Sequence, residues 1–176
     1  MREITLRPAK KEDPPFISQI MERMVAYSEG NRHDIDHFMK VYAFAKTIGE
    51  LEGLDGETQF ILEAAAIVHD IACPLCRAKY GNTNGKLQEQ EGEPLTRAFF
   101  AGSDLTEGQV ERIVWLVGHH HTVDPVEGID HRILLEADYL VNAEEGGYSM
   151  ENIAKAKETL FRTEAGIRLL EHMYKV

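Results

Sequence analysis

The sequence is short of positive charge, of cysteine and of long apolar runs. Its 176 residues include 30 acidic and 19 basic side chains, for a formal net charge of −11. A surface that binds duplex nucleic acid needs a basic face to displace counterions, so we expect no such partner. A small anionic ligand needs only a local cluster of positive groups and is compatible with this charge.

No apolar run approaches the length that a bilayer requires, so we expect no membrane-spanning helix and no membrane partner. The charged N-terminal residues are not followed by an apolar segment, which argues against a secretory signal and favours a cytoplasmic protein. Hydrophobic residues make up 43% of the chain, enough for one domain with a substantial core. The sequence leaves open whether the chain forms a homo-oligomer.

The two cysteines, Cys73 and Cys76, form a C-x-x-C pair. A zinc knuckle needs a second ligand pair at matching spacing, and none is obvious nearby. A thioredoxin-type motif needs a βαβ setting, which this sequence does not offer. We interpret both as reduced and inert. The alternative, a redox protein, predicts a disulfide-dependent activity.

Apolar residues recur at helical spacing, and no strand alternation of useful length is present, so we predict a single all-α domain, a helical bundle. A polar segment covers residues 1–13, and the domain covers 14–176. The spacing and the capping residues predict helices over about 14–29, 34–52, 87–101, 130–143, 149–156 and 157–174. A further helix starts at Asp55 or Thr58 and carries His69 and Asp70, and another follows Thr106 and holds Val110, Ile113, Val114 and Val117. Between Cys73 and about Gly85 the periodicity fails and Pro, Gly and Asn accumulate, which predicts a loop suited to substrate selection.

The most apolar of these helices ends in an adjacent His69-Asp70 pair. Ionised Asp is costly to bury unless its charge is compensated. A divalent metal compensates it well, because imidazole nitrogen and carboxylate oxygen are both good ligands. The alternatives are an incidental neighbouring pair or a buried charge with an ordinary partner.

Two other apolar helices carry a polar residue on or beside their inner face. His37 directly precedes Phe38, and Asp138 lies between Ala137 and Leu140. A core histidine with satisfied hydrogen bonds is the alternative for His37, whereas Asp is rarely buried without a partner. With His69 and Asp70 they offer two imidazoles and two carboxylates, a set suited to a divalent metal (Fe, Mn, Co, Ni, Zn or Mg) with positions left for water.

Three consecutive histidines, His119, His120 and His121, follow a predicted helix. Alone, they are compatible with a solvated turn or with a helix end whose dipole favours imidazolium. Beside the other candidate ligands, His119 and His120 are candidates for a second metal or for neutralising a substrate phosphate.

In order, spacing and apolar context, these residues resemble the HD superfamily of metal-dependent phosphohydrolases. The resemblance covers residues 33–143 and rests on His37, the His69-Asp70 pair, His119-His120 and Asp138. It implies an all-α, HD-domain-like fold, a divalent cation held by His37, His69, Asp70 and Asp138, and hydrolysis of a phosphoester.

The sequence departs from the family pattern at two positions. Many dinuclear members carry a histidine four residues before a glycine in the helix after the loop, where this chain has Gln88 and Gly92. The nucleotidase-like branch and the guanosine polyphosphate hydrolases have a glutamate three residues after the Asp, where this chain has Cys73. The missing acid has neighbouring candidates in Glu89, Glu91 and Glu93, although a solvated acidic face is the preferred interpretation of these three.

We expect Asp70 to be catalytic, as a ligand that also orients the attacking water or accepts its proton. Charge developing on the phosphoryl oxygens needs cationic donors, for which Arg32, His33 and Lys79 are candidates beside the histidine triple. Solvated surface charges are the alternative for Arg32 and Lys79. The favoured function is a phosphohydrolase that acts on a nucleotide or another small phosphorylated metabolite. The alternative is a catalytically degenerate regulatory domain that binds metal or a nucleotide.

Overall fold

The computed structural model describes residues 17–176, and within this range the chain is all-α, with no strand. The polar segment 1–13 and the first residues of the predicted helix 14–29 lie outside the described range. The described helices are α1 (Ile17–Tyr27), α2 (Arg32–Leu51), α3 (Gly56–Val68), α4 (Cys73–Tyr80), α5 (Gly85–Phe100), α6 (Glu107–Val117), α7 (Ile129–Glu145), α8 (Met150–Thr159) and α9 (Glu164–Tyr174).

Helix α3 is the centre of the bundle. All its residues from Ile61 to Val68 are buried, and it packs against α1, α2, α6 and α7. Small side chains at Ala64, Ala65 and Ala66 allow the neighbouring helices to approach from several sides. Asp55 caps its N-terminus by accepting from the backbone N–H groups of the first turn. The helix therefore holds its C-terminal end, which carries the His-Asp pair, in a fixed place inside the bundle.

Residues Gly56–Tyr80, which span α3, the following turn and α4, are long and apolar enough to cross a membrane by length and composition alone. In the structure, however, 72% of the most apolar window of this stretch is buried by the rest of the chain. Its apolar character is thus accounted for by its place in the core.

The loop predicted between Cys73 and about Gly85 is wrong, because most of it is helix α4. Pro74 lies in the first turn of this helix, where a missing N–H costs nothing. Gly81, with φ of +69°, ends the helix in the left-handed conformation. Only residues 81–84 lie outside helices, and Asn84 then caps α5. Pro74 and Gly81, which suggested a loop, therefore mark the beginning and the end of a short helix.

A buried carboxylate fixes the C-terminal helices against α7. Glu136 is fully buried, and its carboxylate accepts from the backbone N–H groups of Arg162 (2.7 Å) and Thr163 (3.1 Å) and from the Thr163 hydroxyl. Thr163 is also the N-cap of α9. The break between the last two helices therefore falls at residues 160–163, a few residues later than the sequence predicts.

Candidate metal centre

Three helices bring His37, His69, Asp70 and Asp138 together. His37 lies in the second turn of α2, His69 and Asp70 directly follow α3, and Asp138 lies in the middle of α7. Because α2, α3 and α7 all pack against one another, these positions meet inside the bundle. The side chains of His37, His69 and Asp138 are 5%, 0% and 9% exposed, whereas Asp70 is 22% exposed. Solvent therefore approaches the cluster from the side of Asp70.

The inward-facing atoms of the four side chains lie at the spacing of ligands around one cation. His37 Nε2 is 3.3 Å from His69 Nε2 and 3.2 Å from Asp138 Oδ1. His69 Nε2 is 3.5 Å from the same Asp138 oxygen. The Asp70 carboxylate lies 3.5 Å from His37 Nε2 and 3.7 Å from His69 Nε2. Ligands about 2.1 Å from a metal stand roughly 3.0–3.4 Å apart in octahedral or tetrahedral geometry.

The outer nitrogens of both histidines are held by acceptors. His69 Nδ1 donates to the Ala66 carbonyl at 2.8 Å, and His37 Nδ1 lies 2.9 Å from the Glu145 carboxylate. An imidazole that donates through Nδ1 presents the lone pair of Nε2 in its neutral form. Two such lone pairs facing each other at 3.3 Å repel unless a proton or a cation lies between them. The donor set therefore fits a divalent metal.

The carboxylate of Asp138 is also held in position by a hydrogen bond. Its second oxygen, Oδ2, accepts from the Asn142 side chain at 2.9 Å, which leaves Oδ1 to face the two histidines. Asn142 lies four residues after Asp138 on α7, and Glu145 lies seven residues after it, so both share its helix face. Sequence reasoning missed both residues, although this spacing is the signal that reveals them.

A second group of candidate ligands shares Asp70. It consists of Asp70, His120 and His121, whose ligand atoms lie within 4.8 Å of one another. Within residues 17–176, His120 Nε2 is fully buried without a hydrogen-bond partner and lies 3.4 Å from Asp70 Oδ1. His120 Nδ1 donates to the Val117 carbonyl at 2.7 Å, so its free nitrogen faces the cluster. Asp70 thus stands between two sets of nitrogen donors.

His119 and His120, which the sequence suggests as a pair of ligands, have different surroundings in the structure. The His119 ring stacks on Trp115, with ring centroids 4.1 Å apart, and its Nδ1 donates to the Trp115 carbonyl at 2.7 Å. His121, not His119, joins His120 beside Asp70. Successive residues at the end of α6 point in different directions, so at most two of the three histidines reach one place.

The three candidate substrate-binding residues have different surroundings. Arg32 is exposed at the start of α2, and its side chain forms no hydrogen bond or ion pair within residues 17–176. His33 is exposed beside it, with Nε2 3.8 Å from Glu145, the partner of His37. Lys79 pairs with Glu91 at 2.6 Å, so its use by a substrate requires that this ion pair opens.

Charges within the cluster favour ionised carboxylates and a protonated His37. Burial alone would lower the pKa of His37, but Asp138, Asp70 and Glu145 outweigh it and raise this pKa to about 9. Burial likewise disfavours ionisation of Asp70 and Asp138. The neighbouring histidines nevertheless hold the pKa of both carboxyl groups below the usual value. A proton on His37 therefore occupies the centre of the cluster when no metal competes for it.

Both cysteines are buried free thiols. Burial, together with the nearby Asp70 charge, raises the pKa of Cys73, so this thiol stays protonated at neutral pH. It does not replace the carboxylic acid that the resemblance to two branches of the HD superfamily leads us to expect at this position. The buried amide of Gln88 donates to the Thr83 carbonyl at 2.7 Å, while its oxygen has no hydrogen-bond partner in the part of the chain that the structure describes.

The model of the HD domain family matches residues 34–143, which is more than half of the chain and includes every candidate ligand. No curated protein and no solved structure matches this chain.

Proposed function

We propose that this chain, which belongs to the HD domain family, hydrolyses a phosphoester with a divalent metal held by His37, His69, Asp70 and Asp138. The family consists mostly of metal-dependent hydrolases. The observation that carries the proposal is the facing pair of Nε2 atoms, 3.3 Å apart, with two carboxylates within 3.7 Å. Structural histidines seldom meet in this way, because each prefers a donor or an acceptor of its own.

Asp70 is the residue that connects the metal to the reaction. A bound divalent metal polarises a phosphoryl oxygen and lowers the pKa of water beside it. Asp70 is the most exposed of the four ligands, so its carboxylate faces both an incoming substrate and a water. From that position it orients the water toward phosphorus and accepts its proton. Asp138, fixed by Asn142, keeps its charge on the buried side.

For the substrate we propose a nucleotide or another small phosphorylated metabolite. Exposed basic residues near the start of α2, Arg32 and His33, support an anionic ligand. The net charge of −11 supports the further proposal that neither duplex nucleic acid nor a membrane surface is the partner. We also propose that the protein is cytoplasmic. His120 and His121 would hold either a second metal or a phosphate oxygen beside Asp70.

The proposal is tested by metal content and phosphate release. The protein is stripped with a chelator, reloaded separately with Mn, Fe, Co, Ni, Zn or Mg, and assayed with nucleoside mono-, di- and triphosphates and sugar phosphates. We expect about one to two metal ions per chain and release of phosphate from at least one substrate class only after reloading. A metal-loaded protein that releases phosphate from none of these compounds contradicts the proposal.

The alternative is a regulatory domain that binds metal or a nucleotide without turnover. The observation that favours it is the buried, protonated thiol of Cys73. At this position the nucleotidase-like branch and the guanosine polyphosphate hydrolases of the family that the sequence resembles have a glutamate. In this case the metal-loaded protein binds a nucleotide in calorimetric titration but leaves it intact after prolonged incubation.

Metal binding is expected to release about one proton at pH 7. In the metal-free protein the pKa of His37 is raised to about 9, so its Nε2 carries a proton at pH 7 that a metal must displace. The apparent affinity should therefore rise up to about tenfold per pH unit between about pH 6.5 and 8.5, and level off near the pKa. Calorimetric titration with Mn²⁺ in buffers of different ionisation enthalpy measures the proton. Binding without proton release at pH 7 contradicts the expectation.

A further inference from the structure

An ion pair between α2 and α4 stands beside the candidate centre. Arg77 Nη2 donates to Asp34 Oδ2, and the same oxygen accepts from the Asn31 side chain at 3.0 Å. The Arg77 side chain is 40% exposed, whereas Asp34 is 11% exposed. Asp34 is thus a fixed acceptor at the start of α2, and the guanidinium that it holds is open to solvent.

The positions of Asp34 and Arg77 on their helices place this ion pair near candidate ligands on two sides. Asp34 precedes His37 by three residues and so lies on the same face of α2. Arg77 follows Cys73 by one turn of α4, and the Cys73 thiol interacts with the Asp70 carboxylate. The Arg77 guanidinium also interacts electrostatically with Asp70, the most exposed of the four candidate ligands. The positive charge of Arg77 therefore acts on the same carboxylate that an incoming phosphate must approach.

The chemistry of the pair suits an exchange of partners. The Arg77 end of this pair is open to solvent, and an ion pair that water reaches adds little to the stability of a fold. Guanidinium binds carboxylate and phosphate in the same two-pronged geometry, which allows one anion to replace the other. Two other lysines, Lys40 and Lys79, already form ion pairs with glutamates. Lys40 contacts Glu144 and Glu145, and Lys79 contacts Glu91.

We propose that Arg77 binds the phosphate group of the substrate, and that Asp34 holds the guanidinium in position until the phosphate replaces it. This inference rests on the proposed phosphohydrolase function and assigns to α4 the recognition of a phosphate dianion. Asp34 then has two effects: it positions Arg77, and it competes with the substrate for it.

The experiment measures the affinity of the metal-loaded protein for inorganic phosphate by calorimetric titration, with metal content determined for each variant. Arg77→Ala should weaken phosphate binding by about tenfold or more, because a charge-assisted contact is lost. Asp34→Asn should instead tighten it severalfold, because the competing charge is removed while the shape is kept. The double variant should bind like Arg77→Ala, since Asp34 acts through Arg77.

If the Arg77–Asp34 ion pair serves only to join α2 to α4, the variants should change phosphate affinity in a different way. Both single variants would then change phosphate affinity in the same direction or not at all, and either outcome overturns the proposal. The control pair is Arg97 and Glu111, another guanidinium–carboxylate contact between two helices, on α5 and α6. Arg97→Ala and Glu111→Gln change the same charges and should leave phosphate affinity within about twofold. Because the readout is binding, it remains interpretable if no substrate of the panel is hydrolysed.

Discussion

Replacing Asp70 with asparagine is expected to reduce phosphate release by the metal-loaded protein at least about 1000-fold. The Asp70 carboxylate lies within 3.7 Å of Nε2 atoms from His37, His69 and His120, so it belongs to both groups of candidate ligands. The amide keeps the shape but loses the negative charge that binds metal and the capacity to accept a proton. Initial rates with the best substrate of the panel, at saturating metal, measure the effect.

The matched control is Asp36→Asn. Asp36 is exposed on α2 and directly precedes His37, so the substitution makes the same chemical change one residue from a candidate ligand. We expect the rate to change by less than about threefold, because an exposed charge is screened. Circular dichroism of both variants checks that the bundle is intact. An Asp70→Asn protein with near-normal turnover contradicts the role assigned to this carboxylate.

The all-α fold and the meeting of the four side chains are predictable because each depends on local pattern. Apolar stripes identify α2, α3 and α7, and a polar residue on or beside such a stripe, as at His37 and Asp138, must face the core. Burial of a charged residue in a stripe is costly, so several such interruptions in one small core tend to share one cause.

Helix α4 was not predicted from the sequence because it is too short to show the helical repeat of apolar residues. Its eight residues bury only Cys73 and Cys76, so no apolar stripe accompanies it. Pro74 and Gly81 are residue types that are common in loops. Only their order indicates a helix, because proline is favoured in the first turn and glycine directly after the last residue. With α4 unrecognised, Arg77 had no helix face and could not be linked to Asp34.

The three consecutive histidines show a second limit of prediction from the sequence. Which of the three adjacent histidines faces the cluster depends on the path of the backbone two to four residues after α6 ends at Val117. Trp115, one turn earlier, holds the His119 ring by stacking at 4.1 Å, and His120 and His121 are then directed to Asp70. This choice is made by tertiary packing, which composition and spacing do not encode.

Replacing Gly166 with alanine is expected to lower the free energy of unfolding by about 3 kcal/mol and the melting temperature by about 6–12 °C. Gly166 lies in the first turn of α9, where an added Cβ would stand 2.1 Å from Glu136 Oε2 and 2.6 Å from Thr163 Oγ1. Both atoms belong to the buried contact that fixes α9 to α7. The Glu136 carboxylate must move away from donors that it cannot replace, because it is fully buried.

Helix propensity alone predicts the opposite sign, since alanine is better than glycine in a helix by up to about 1 kcal/mol. Gly108 supplies the control: it lies in the first turn of α6, and a Cβ there meets no atom within 4 Å. Gly108→Ala should leave the protein unchanged or stabilise it by up to about 1 kcal/mol. Urea denaturation of both variants measures the two free energies. A Gly166→Ala protein as stable as the parent would mean that the Glu136 carboxylate can shift without losing its hydrogen bonds.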